Sequence, residues 1–239
     1  MDEAIRATEA VIEQTRRVKE GLLQELLTKG IGQTRFKKTP IGEIPEGWEV
    51  KRLGDIAKVE RGRFSHRPRN APHLYGGRYP FVQTGDVAAA ERITAYRQTL
   101  NEAGKATSKL FPANTILIGI VGANVGEAAI TTFEVACPDS IIAIRPDSVS
   151  TEWLFQAATT WKPFLQNQST QNARQNINLE TLRPMLIGVP PIEEQEKVAA
   201  VTTSFSQSLE TLRENLRALE TAKQGLLQDL LTVKVRVSV

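Results

Sequence analysis

Lys19-Glu20-Gly21-Leu22-Leu23-Gln24-Glu25-Leu26-Leu27-Thr28, near the start of the chain, returns near its end as Lys223-Gln224-Gly225-Leu226-Leu227-Gln228-Asp229-Leu230-Leu231-Thr232. Eight of the ten positions are identical without a gap, and the other two are conservative. Two helices rich in Leu, Gln and Glu can match by composition alone. An ungapped match that keeps a mid-helix glycine in the same place argues instead for an internal repeat. A glycine inside a helix costs about 1 kcal/mol relative to alanine, so its presence in both copies predicts close approach of another helix at Gly21 and Gly225. The offset is 204 residues, and the 239-residue chain reads as one such period whose opening segment recurs at its close.

Pro190-Pro191 precedes the second copy by about 30 residues and suits a helix start, not a helix interior. Glu193, Glu194 and Glu196 follow, where the positive end of a helix dipole favours carboxylates. From there to Thr232 there is no proline, and Gly225 is the single glycine. Phe205, Leu209, Leu212, Leu216, Leu219, Leu226 and Leu230 step by four and three, with Lys223 filling the gap in the series. That is a heptad seam. About 40 helical residues make a rod of roughly 60 Å, longer than a domain of this size is wide, so the seam needs a partner helix. Residues 3–29 supply one, with no proline and the single glycine Gly21. Shifting the seam by the repeat offset gives Met1, Ile5, Thr8, Ile12, Thr15, Lys19, Leu22 and Leu26, the same register in a more polar version. One helix leads into the intervening body and the other leads out, so an antiparallel pair is expected. Leu226 and Leu230 then lie at its far end, where a second chain would dock.

Four segments follow: a first long helix (1–30), a linker (31–47), a body (48–190) and a second long helix (191–235). Within the body, apolar runs at Tyr79–Val82, Thr115–Val121, Ala128–Thr132, Ser140–Ile144 and Leu186–Val189 are bounded by Gly, Pro, Asn or Asp and read as short strands. Trp153–Leu165 reads as a short amphipathic helix broken or bent near Pro163. The class is α+β, one domain of short strands and helices flanked by two long antiparallel helices.

The chemistry is mostly exclusion. Mean hydropathy is −0.26 and no apolar stretch is long enough for a transmembrane span. The polar opening MDEAIRATEA does not read as a signal peptide, and the compartment expected is the cytoplasm. One cysteine, Cys137, rules out a disulfide framework, and two histidines make a His-based metal site unexpected. Gly119–Gly126 lacks the Lys-Ser/Thr of a phosphate loop and the spacing of a dinucleotide fingerprint, and reads as a strand and turn. Glu49-Val50-Lys51 is too short a match to stand for a nuclease motif. No nucleophile elbow, paired-His helix or acidic metal loop occurs, so no catalytic residue, metal or cofactor is assigned.

Charge is uneven. Residues 46–109 hold 12 basic and 7 acidic side chains, against a net charge of +3 for the whole chain. Arg61–Gly85 contains Arg61, Arg63, Arg67, Arg69 and Arg78, both histidines, and no Asp or Glu. This suits a polyanion, nucleic acid most simply, or is a solvated arginine-rich loop. Asn167–Asn176 is almost wholly Asn, Gln, Arg, Ser and Thr, the side chains that read base edges, or is an ordinary polar loop.

The layout resembles the specificity subunit of type I restriction–modification systems. The resemblance rests on Gly42-Glu43-Ile44-Pro45-Glu46-Gly47-Trp48-Glu49-Val50-Lys51-Arg52-Leu53-Gly54-Asp55 and on Val82-Gln83-Thr84-Gly85-Asp86-Val87. The Gly122 turn with Asp139-Ser140-Ile141-Ile142-Ala143 adds to it. Its strongest part is Gln175-Asn176-Ile177-Asn178-Leu179-Glu180-Thr181-Leu182, leading to Val189-Pro190-Pro191-Ile192-Glu193-Glu194-Gln195. It implies a non-catalytic protein with two target-recognition domains, each followed by a long helix, the paired helices spacing the two halves of a bipartite double-stranded DNA site. It also implies methyltransferase subunits and a restriction and motor subunit as partners. This chain has a single such domain. A homodimer would supply the second and read a symmetric, interrupted palindrome; a piece of a longer subunit would show the same layout.

On this reading, phosphates are held by Arg61, Arg63, Arg67, Arg69 and Lys109. Bases are read by His66, Asn70, Gln83, Thr84, Gln171, Asn172, Arg174 and Gln175, from loops and not from the sheet. Arg92 and Arg97 read as surface charges, and Gln175-Asn176 alternatively anchors the domain to the next strand. The helix interface is expected at Ile5, Ile12, Leu22, Leu26, Leu209, Leu212, Leu216, Leu219, Leu226 and Leu230. The competing reading is a coiled-coil scaffold that binds no DNA, its basic loop being incidental.

Overall fold

The computed structural model describes residues 1–66, 68, 70–171 and 177–231. The chain opens with helix α1 (Asp2–Lys29), then strands β1 (Phe36–Thr39), β2 (Gly42–Pro45) and β3 (Glu49–Arg52), the single turn α2 (Leu53–Ile56) and strand β4 (Ala57–Arg61). Next come β5 (Tyr75–Phe81), α3 (Thr84–Ala89), β6 (Arg92–Ile93), β7 (Gln98–Leu100), α4 (Glu102–Ala106) and β8 (Leu110–Phe111). Strands β9 (Ile116–Gly119), β10 (Ala128–Thr131), β11 (Val135–Ala136) and β12 (Ile141–Pro146) follow. The last elements are α5 (Thr151–Thr159), α6 (Lys162–Gln171), α7 (Leu179–Leu182), β13 (Leu186–Val189) and α8 (Ile192–Leu231). They form two compact units, Met1–Leu26 with Lys197–Val239, and Leu27–Glu196. The class is α+β, as the alternation of apolar runs and turn residues indicates.

The first unit is a pair of antiparallel helices. Lys19 Nζ donates to Ser206 Oγ at 2.7 Å, and Asp2 Oδ1 meets Lys223 Nζ at 2.8 Å. In each pair the residue numbers add to 225, which holds only for antiparallel chains in one register. Lys19 and Lys223, equivalent positions of the repeat, are thus both polar members of the seam. Ile12, Lys19, Leu23 and Leu26 are buried along α1, and Ile5 and Leu22 are half-buried. On α8, Leu209 is buried and Leu212, Leu216 and Leu219 are half-buried. Beyond the Asp2–Lys223 pair, Leu226 (52% exposed), Leu227 and Leu230 face solvent. The glycine expectation fails. A Cβ added at Gly21 or Gly225 meets nothing within 4 Å: Gly21 is exposed on α1, and Gly225 lies past the Asp2–Lys223 pair, where the seam leucines are exposed as well.

The second unit is built on two mixed sheets. One has the order β4-β12-β9-β10-β6, the other β7-β5-β11-β8, and β3 pairs separately with β13. β9 and the first four residues of β12 are buried throughout, as expected for continuous apolar strands covered on both faces. Val82, Val87, Phe111, Leu117, Ala129, Val135 and Ile141 pack as one core that draws on both sheets. Phe64, Leu74, Tyr79, Phe81 and Leu100 form a second cluster.

One detail departs from the sequence reading. The segment expected as a linker contains the hairpin β1–β2, paired from Phe36↔Pro45 to Thr39↔Gly42, with Gly42 at φ +105°. The helix expected to be broken or bent near Pro163 is broken: it is two helices, α5 and α6, divided at Thr160-Trp161. Pro163 sits in the first turn of α6, where it forfeits no helical hydrogen bond. Residues 119–126 form the end of β9 and a turn, closed by Gly126 N–H donating to the Gly119 carbonyl at 2.9 Å.

Candidate nucleic-acid interface

The basic segment leaves the sheet at the end of β4 and is held by backbone. Gly62 N–H donates to Ile141 O, Arg63 N–H to Cys137 O, and Val82 N–H, at the end of β5, to Ala136 O. One stretch, 136–141, therefore anchors both the Arg61–Arg63 segment and the Gln83–Thr84 corner. Gly62 is required there, since a Cβ would run into the Pro138 carbonyl oxygen. Arg61 Nε donates to Asp139 O at 2.5 Å, and Arg63 Nη2 to Ser108 O at 2.8 Å, so both exposed guanidiniums are oriented by carbonyls. Ser108 Oγ returns a bond to Arg63 O at 2.7 Å.

The remaining expected contacts are distributed as follows. His66 and His73 stack edge to face, their centroids 5.2 Å apart. Asn70 is exposed. Gln83 precedes α3, and its N–H is accepted by Asp86 Oδ2 at 2.9 Å while its side-chain amide donates to Gln98 at 2.5 Å. Thr84 is half-buried in the first turn of α3. Gln171 closes α6. Arg67, Arg69, Asn172, Arg174 and Gln175 lie outside the described residues. Lys109 donates to Glu60 Oε1 at 2.5 Å, and Arg145 Nη2 to Glu60 Oε2 at 2.6 Å. The Lys109 ammonium, with Arg145 beside it, holds the Glu60 carboxyl below the usual glutamate range against a partial burial that pulls the other way. Arg92 pairs with Glu152 at 2.6 Å and Arg97 with Asp86 at 2.7 Å.

The proline-glutamate-glutamine segment has a role that sequence reading missed. Glu194, half-buried in the first turn of α8, accepts from Ile31 N–H at 2.8 Å on Oε1, and from Gln33 Nε2 at 3.1 Å and Trp48 Nε1 at 3.0 Å on Oε2. Trp48 is 1% exposed, and Glu194 satisfies its indole N–H. Gly30, at φ +71°, leaves room for that carboxylate; a Cβ would collide with Oε1. Gln195, 2% exposed, accepts from Ser150 N–H and donates to Pro190 O, both at 2.8 Å. The segment therefore ties the start of α8 to the chain around Trp48 and to the cap of α5. Asn178 similarly caps α7, accepting from Thr181 N–H at 2.9 Å.

Cys137 is fully buried, and burial pushes its thiol far up, so it is no nucleophile. Among the described residues no three of His, Cys, Asp and Glu gather as metal ligands, and no helix is long and apolar enough to cross a membrane.

Residues 45–221 match the family model described as the type I restriction modification DNA specificity domain. The type I restriction enzyme MjaIX specificity subunit of Methanocaldococcus jannaschii is 30% identical over 195 residues, 79% of this chain and 44% of the relative. The MjaVIII specificity subunit of the same organism is 26% identical over 240 residues, covering 95% of this chain and 55% of the relative. The crystal structure of the HsdS subunit from Thermoanaerobacter tengcongensis shares the fold, with a TM-score of 0.65 at 21% identity over 95% of this chain and 53% of that one. The chain spans about half the length of these relatives. With three quarters of its length inside the family model, it belongs to the type I restriction–modification DNA specificity domain family.

Proposed function

We propose that this chain is the DNA-recognition subunit of a type I restriction–modification complex in single-domain form. On this reading residues 48–190 bind one half of a bipartite duplex site. Two copies join through their helical units and together read an interrupted palindrome. Methyltransferase and restriction/motor subunits assemble on that dimer and supply the catalysis, the specificity chain itself having no catalytic site.

The observation that carries the reading is the unequal fate of the two repeat copies. Leu23 and Leu26 of the first are buried, whereas Leu226, Leu227 and Leu230 of the second are exposed. The same apolar face is covered once and open once, and a second chain related by a two-fold axis covers it symmetrically. Two copies also supply the length of one relative.

The test is methylome sequencing of host DNA with and without the gene. The expected result is a modified motif whose two halves are reverse complements separated by an unspecified spacer. An asymmetric motif would overturn the dimer, and no gene-dependent motif would overturn DNA recognition in favour of a scaffold.

A further inference from the structure

The β4 edge of the five-stranded sheet carries more positive charge than its one carboxylate, Glu60, can pair. β4 is the edge strand, and its register with β12 sets Lys58 directly opposite Arg145. Like charges facing each other across a sheet are destabilising. Lys109 adds a third cation. Among the described residues, the carboxylate serving this group is Glu60, and its two oxygens are taken by Lys109 and Arg145. Lys58 is exposed and has no ion-pair partner among the described residues. Arg145 Nε is buried and makes no hydrogen bond among them, while the rest of its side chain is about one third exposed. Arg183, just past α7, donates from Nε and Nη2 to the Val59 carbonyl at 3.2 and 2.8 Å, so its charge lies along the same strand against a neutral acceptor. Asp55 and Asp147 flank the other end of the strand pair, beyond Ala57↔Pro146.

We infer that this edge is a phosphate track for duplex DNA, with Lys58 and Arg145 contacting the sugar-phosphate backbone from the sheet and Arg183 from the turn after α7. The inference rests on the DNA-recognition reading above. A phosphodiester oxygen set between Lys58 and Arg145 replaces their repulsion with two charge-assisted hydrogen bonds, and the planar guanidinium of Arg183 suits a second phosphate. Contacts of this kind position the protein and carry no sequence information.

Cationic side chains also keep sheet edges from pairing with other chains, and one substitution separates the two roles. Lys58→Glu leaves the edge charged and faces Arg145 with an opposite charge, yet repels a phosphate. The measurement is binding of the intact chain to a short random-sequence duplex across a salt series, alongside thermal melting. Lys58→Glu is expected to melt no lower than the wild type while its Kd rises several-fold. Arg183→Gln is expected to reduce the log–log salt slope by about 0.9, the share of one phosphate contact. Arg92→Gln, on β6 at the opposite edge of the same sheet, is expected to change neither. If the wild type binds with a steep salt dependence and both Lys58→Glu and Arg183→Gln bind as it does, the edge assignment is wrong while DNA recognition stands. If the wild type shows no affinity for duplex at low salt, the DNA-recognition reading itself fails.

Discussion

Glu194 shows how far a residue's surroundings exceed its sequence context. In the sequence it is one of three acids opening a helix. In the structure it collects a backbone N–H, an amide and the indole N–H of a buried tryptophan. Glu194→Gln keeps the shape but turns an NH₂ toward at least one of those donors, leaving a donor without an acceptor. The expected cost is about 1–3 kcal/mol, read as a lowered melting temperature. An unchanged melting temperature would mean that these bonds contribute nothing net. Glu60 makes a prediction in pH. Its carboxyl is held low in the folded chain by Lys109 first and by Arg145, so its contribution is complete above the ordinary glutamate range. That contribution falls as pH drops through this range and is gone below the lowered value. Glu60→Gln should therefore be less stable than the wild type near neutrality and converge with it in acid. Parallel stability curves down to the acid limit would exclude the linkage.

The long helices are the elements most legible in the sequence, because a heptad seam is a property of one strand of text and needs no partner to be seen. Lys19 and Lys223 interrupt the apolar series at equivalent places, and each makes a polar contact across the pair. The glycines were misread. Conservation between the two copies suggested crowding, but Gly21 faces outward and an added methyl meets nothing. Gly21→Ala is accordingly expected to stabilise the helical unit by about 0.5–1 kcal/mol, measured by denaturant unfolding. A loss of stability would show that the outward face is covered in solution. At the end of α8, Leu226→Asp with Leu230→Asp should halve the mass seen by light scattering and leave thermal unfolding of the recognition unit unchanged; a mass unaffected by both substitutions would remove that surface from the interface. Among the strands, β9 and β12 were legible as unbroken apolar runs. The hairpin β1–β2 was not, because its residues are mostly exposed and Pro40 and Gly42 give it the composition of a linker.

At the scale of the whole molecule, local periodicity and the 204-residue repeat were enough to indicate two long helices and an intervening α+β body, and short motifs such as Val189-Pro190-Pro191-Ile192-Glu193-Glu194-Gln195 carried the resemblance to the specificity family. Each of those is encoded in residues a few positions apart or in text that matches itself. The tertiary structure alone decided what the polar side chains do. Glu194 meets Trp48 across 146 residues of sequence, Arg183 meets Val59 across 124, and Arg145 meets Glu60 across 85. No spacing rule connects such positions, since their proximity depends on strand order and register. For that reason the sequence showed where positive charge is concentrated along the chain, whereas only the folded sheet set Lys58, Arg145 and Arg183 beside one strand.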